Sequence, residues 1–179
     1  MTDDPRAREL DQFFKRWHQE AKRTVALMQA LPVDRYDFRP DTGGRSLGEL
    51  AWHIAEVDGV FSTSLVAGEF KIGVKVPGLE RPSKIEPLAP GYQRVHDEAV
   101  ARLRPYLKPE DLDRDQPFYG GRVLKIRDIL WVALLHHHIH HRGQLSLMSR
   151  IAGGINPEIY GFTREQVAAM RAKTSAPAS

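Results

Sequence analysis

The sequence predicts an all-α protein, a four-helix bundle with a long crossover loop and a short C-terminal helix. Three observations carry this. Four long segments place apolar residues at helical spacings, proline and glycine clusters separate them, and strand-like alternation is short and rare. At a usual scale of about 150 residues per domain, 179 residues read as one domain. Its expected extent is 1–173, with 174–179 as a disordered tail.

The first helix is predicted over 6–31, where Leu10, Phe13, Phe14, Trp17, Ala21, Val25 and Met28 recur at helical spacing and Pro32 stops the run. Residues 34–44 are loop by their proline, glycine and aspartate content. Ser46 and Glu49 then form a capping-box signature that opens a second helix running to residue 67. Between 68 and 90, four prolines and three glycines argue for a long loop, with a short extended piece over 71–76. Such a loop is either a lid over a site or a plain crossover between helices. A third helix follows over 90–107. Residues 118–124, with the Gly120-Gly121 pair, read as a tight turn in a small hairpin. The fourth helix spans 126–151 and ends at Gly153-Gly154. Thr163 and Gln166 cap a last short helix to residue 172.

Composition removes several function classes. The chain is 41% hydrophobic and 27% charged, which is ordinary for a globular protein and excludes a disordered chain. It has no cysteine, so a disulfide scaffold, a zinc finger, an iron–sulfur centre and a cysteine nucleophile are all excluded. Met1 to Arg6 is polar, and the most apolar run (129–135) is far short of the roughly 20 residues a membrane span needs. A soluble, cytoplasmic protein without membrane association is expected. Lysine plus arginine number 26 against 23 acids, and the basic residues are interspersed with them, so no nucleic-acid partner is expected. Phosphate-loop, nucleophile-elbow and dinucleotide-binding signatures are missing.

The chemistry lies in the histidines. Five of eight fall within 136–141. Counting by helical steps from His137, one face holds Ile126, Leu130, Ala133, Leu134, His141, Gln144, Met148 and Ile151. This places His137 and His141 on the expected core stripe of the fourth helix, with His136, His138 and His140 left at the surface or an interface. Two histidines at i and i+4 form a bidentate metal site, because their imidazoles project one turn apart. On the second helix, His53 shares a face with Leu50, Val57, Val60, Phe61 and Ser64. Brought opposite the pair, it completes a three-nitrogen site with an open coordination position, the pattern of a catalytic metal. Glu56, one turn after His53, is a candidate proton acceptor. Gln144 is a candidate hydrogen-bond partner for a ligand. Tyr119 and Tyr160 are candidates for the mouth. Trp131, Leu135 and Ile139 give the fourth helix a second apolar face, to be covered within the chain or by a second copy.

Several of these stretches together resemble the DinB-like (DinB/YfiT) metalloprotein family. They are Phe38-Arg39-Pro40, Ser46-Leu47-Gly48-Glu49-Leu50 leading to His53, Leu130-Trp131 followed by His137, and His141-Arg142-Gly143-Gln144-Leu145. Ile155-Asn156-Pro157-Glu158-Ile159-Tyr160-Gly161 also matches. The resemblance implies a four-helix bundle, commonly a homodimer, in which His53, His137 and His141 hold a divalent metal, zinc or nickel foremost, iron or manganese otherwise. It implies a metal-dependent reaction on a small-molecule substrate, of the thiol S-transferase or hydrolase type, with a low-molecular-weight thiol as co-substrate in the first case. The alternative is a non-catalytic metal-binding stress-response protein. His136 and His138 stand where the family commonly has asparagine and glutamate.

Overall fold

The computed structural model describes residues 4–174. Helix α1 (Pro5–Gln29) starts from Asp4, whose carboxylate accepts the Arg6 amide at 2.9 Å, with Pro5 in the first turn. Helix α2 (Leu47–Ala67) opens on the predicted capping box: Ser46 Oγ accepts the Glu49 amide, and Glu49 Oε2 accepts the Ser46 amide. Gly68, at φ 78°, ends it in the left-handed conformation that glycine adopts without strain. Helix α3 is Leu88–Tyr106, two residues earlier than the spacing predicts. Strands β1 (Asp115–Pro117) and β2 (Val123–Lys125) pair antiparallel with Gln116 opposite Leu124, confirming the hairpin.

Helix α4 then runs unbroken from Ile126 to Ile151 in three consecutive segments, Ile126–Asp128, the π-helical Ile129–His136 and the α-helical His137–Ile151. The short α5 is Arg164–Thr174. Thr174 is therefore helical, and the rest of the expected tail, 175–179, lies outside the described residues.

Helix α2 is buried nearly all round and forms the axis of the bundle, packed against α3 and the second half of α4. One apolar cluster gathers Phe13, Phe14, Trp17, Phe61, Leu103 and Leu130, and a second gathers Met28, Leu47, Trp52, Leu88, Tyr92 and Leu145. The second apolar face of α4 is largely covered within the chain. Trp131 packs edge-on against Phe13 and donates its indole N–H to Glu9 at 3.2 Å, while Leu135 is buried.

The crossover between α2 and α3 contains no strand, so the extended piece expected over 71–76 is ordinary loop. It is fastened along its second half. Trp52 Nε1 donates to Leu79 O at 3.1 Å, Tyr36 Oη donates to Pro82 O, and Arg81 pairs with Glu56 at 3.0 Å. Gly48 permits this, because a Cβ there would overlap the Tyr36 ring. Gly48→Ala is expected to destabilise the fold by about 1–3 kcal/mol through overpacking, read as a lowered thermal midpoint. No helix among the described residues is long and apolar enough to cross a membrane.

Candidate metal centre

Helix α2 supplies His53, and the α-helical half of α4 supplies His137 and His141. One ring nitrogen from each of the three lies within 4.8 Å of the others. The His137 and His141 Nε2 atoms are 2.7 Å apart, and the His53 ring stands 4.6 Å from that of His141, centroid to centroid.

The far side of each ring is anchored. His53 Nδ1 meets Glu56 Oε2 at 3.1 Å, His141 Nδ1 meets Gln144 Oε1 at 2.7 Å, and His137 bonds the Ala133 backbone. Such outer partners fix the tautomer and turn the free nitrogen towards a common point. Burial holds His137 below the usual imidazole range, aided by the nearby His53, and pushes His141 down to about 4. Both are therefore neutral at pH 7, which is the state that binds metal. Three convergent imidazole nitrogens with no thiolate are a donor set suited to zinc, nickel or iron.

Glu56 is more constrained than a free base. Its second oxygen accepts from Arg81 at 3.0 Å, and the hydrogen bond to His53, with Arg81, holds its carboxyl below the usual range. Gln144 is exposed and reaches the cluster only through His141. Beside the histidines a cavity of about 1240 Å³ opens, lined by His53, Glu56 and His137 and by the apolar residues of α2, the crossover and the hairpin. Tyr119 lines it and Tyr160 does not. Tyr160 instead covers buried Arg142, whose guanidinium pairs with Glu20 at 2.5 Å.

The structure corrects two expectations about α4. His137 and His141 are only half-buried, His137 borders the cavity, and Gln144 and Ile151 are exposed, so this face is not the core stripe. The core stripe runs through Leu130, Leu134, His138, Arg142 and Leu145, and His138, expected at the surface, is fully buried. The π-helical turn is the cause. Its i→i+5 bonding widens the turn, so the buried face advances four residues per step and reaches position 138, where an unbroken α-helix would favour 137. His136 and His140 are exposed as expected.

At the centre of the bundle lies a polar hub that sequence reasoning missed. Asp58 Oδ1 accepts from Trp17 Nε1 at 3.2 Å and pairs with His138 Nδ1 at 3.3 Å. Its Oδ2 accepts from Tyr92 Oη at 3.3 Å and pairs with His96 Nδ1 at 3.0 Å. All five residues are fully or almost fully buried. Burial opposes ionisation, yet the attraction and hydrogen bonds of His138 and His96 hold the Asp58 carboxyl far below the ordinary range. An acid within the otherwise apolar Ile54–Ala55–Phe61–Leu65 surroundings was the available signal.

The family model described as the DinB family matches residues 4–174. The Bacillus subtilis protein YrdA is 26% identical over 157 residues, covering 88% of this chain and 91% of that protein. A DinB-like protein of Bacillus cereus, solved by crystallography, superposes with a TM-score of 0.69 at 27% identity, covering 84% of this chain and 97% of that one. The DinB-like protein YjoA of Bacillus subtilis gives 0.65 at 26% identity, covering 83% and 96%.

Proposed function

The chain belongs to the DinB family, and from that premise we propose that it is a metal-dependent enzyme acting on small molecules, of the thiol S-transferase or hydrolase type. The observation that carries the reading is the convergence of three anchored imidazoles, His53, His137 and His141, of which His53 and His137 line the cavity. Together they would hold one divalent ion, zinc or nickel foremost. When bound, such an ion supplies Lewis acidity, which polarises a substrate carbonyl or eases loss of a proton from water or a thiol. The large adjoining cavity supports catalysis over a purely structural site, since a structural site is closed by a fourth protein ligand and needs no room for a reactant.

The protein's own residues prepare this site. Arg81 holds Glu56, and Glu56 holds His53, so a crossover residue fixes the orientation of a ligand on α2. With both oxygens engaged, Glu56 acts as a positioning residue first. Gln144 does the same for His141. Glu56→Gln, which keeps an acceptor for His53 but loses the charge, is expected to weaken metal binding about tenfold, and Glu56→Ala up to about a hundredfold. Competition titration with a chromophoric chelator measures both.

Activity is tested by comparing metal-loaded and chelator-stripped protein against thiol–electrophile pairs and a panel of esters and amides. Turnover that disappears with the metal and returns on adding it supports the proposal. Turnover indifferent to the metal overturns it.

A further inference from the structure

The cavity beside the histidines is larger than an ion and its water require. Its volume of about 1240 Å³ compares with roughly 300–1,000 Å³ for common small-molecule sites. Its depth is hydrocarbon. Val57 and Phe61 of α2 are buried there, and Phe118 and Tyr119 from the hairpin turn close against Phe61. These rings already form an edge-to-face set: Phe61 to Phe118 at 6.1 Å and 64°, Phe61 to Tyr119 at 6.2 Å and 62°, Phe118 to Tyr119 at 5.0 Å and 70°. A further aromatic ring extends such a set favourably.

The charges tell against an ionic ligand. Lys75, Glu80, Arg122 and Asp128 line the cavity, two of each sign, and all four are exposed at its rim. Glu56, the one charge deeper in, is committed to His53 and Arg81. A sugar or a nucleotide placed against Val57 and Phe61 would leave hydroxyls or phosphates unpaired, which is costly. A neutral hydrocarbon body loses nothing there.

We propose that this cavity takes a neutral small molecule with an aromatic body, its rings against Phe61, Phe118 and Tyr119 and its polar reacting group at the His53–His137 end. The placement of the polar group rests on the metal-centre reading above; the seat of the aromatic body does not.

Two hydroxamates of like chelating power test this on zinc-loaded protein by calorimetry. 2-Naphthohydroxamate is expected to bind about a hundredfold more tightly than acetohydroxamate, because only the former fills the apolar wall. Val132→Glu adds a charge to the cavity lining at a helix position already 56% exposed. It is expected to reduce that preference to about threefold or less while leaving zinc content and acetohydroxamate affinity unchanged. Equal affinities in a protein that holds zinc would overturn the proposal and leave the metal site standing. The neutral fluorophore N-phenyl-1-naphthylamine tests the seat alone, on metal-free His53→Ala. Saturable binding there, weakened at least about tenfold by adding Val132→Glu, supports the aromatic seat. Absence of saturable binding overturns it.

Discussion

Asp58→Ala is expected to lower unfolding stability by about 3–5 kcal/mol, a fall in thermal midpoint of roughly 10 °C for a domain of this size. The reason is the number of donors that one carboxylate satisfies. Trp17, Tyr92, His96 and His138 converge on it from α1, α3 and α4, at the centre of a bundle whose axis is α2. Removing the acceptor strands four buried polar groups at once, and each stranded group costs of order 1–3 kcal/mol before relaxation. The hub also joins the two apolar clusters, since Trp17 belongs to one and Tyr92 to the other.

The sign of the pH dependence follows from the same residue. The folded state holds Asp58 ionised below its usual range, so its contribution is complete above the unfolded carboxylate pKa of about 3.9 and is lost as pH falls below that towards the folded value. Wild-type stability should therefore decline on acidification through this range, and Asp58→Asn should start lower and decline less. Chemical denaturation between about pH 2 and 5 measures both slopes. A change below about 1 kcal/mol in Asp58→Ala would mean that water enters the hub and replaces the carboxylate.

The helices were legible because each has local punctuation. Ser46 and Glu49 cap α2, Pro32 stops the chain beyond α1, and the Gly120-Gly121 turn joins β1 to β2. The three ligand candidates were legible for a similar reason: His137 and His141 lie in the regular α-helical half of α4, where i and i+4 meet as expected. The orientation of the whole helix was not legible. Counting across 126–151 assumes one constant turn, and the π-helical stretch Ile129–His136 breaks that assumption just before the histidine run. The count consequently gave the core to His137 and the surface to His138, when the reverse is nearer the truth. Arg142 was hidden by the same shift, together with its buried pairing to Glu20. Asp58 was hidden for a different reason. A single acid in an apolar helix resembles a solvated residue until partners from three other helices are known, and those partners are distant in sequence.

His53→Ala is expected to take the bound divalent metal from about one equivalent per chain to nearly none. The site has three nitrogen donors, and among the described residues no other histidine, aspartate or glutamate joins the cluster to replace a lost one. Elemental analysis of protein purified without a nickel column gives the count directly. Two neighbours supply the controls. His140 is exposed and meets the His141 ring edge-on without joining the cluster, so His140→Ala should keep its metal and its stability. His138 bonds Thr24 at 2.7 Å and Asp58, away from the cluster, so His138→Ala should lose stability and still bind metal when folded. Added zinc sharpens the distinction. A ligand at 100 times its dissociation constant stabilises the folded state by about 2.7 kcal/mol. Zinc should therefore raise the thermal midpoint of the wild type, His140→Ala and His138→Ala, and leave that of His53→Ala unmoved. Metal retained in full by His53→Ala would place the binding in the exposed histidines of the 136–141 run. The convergent imidazoles would then be packing and not a site, and the catalytic reading would fall with them.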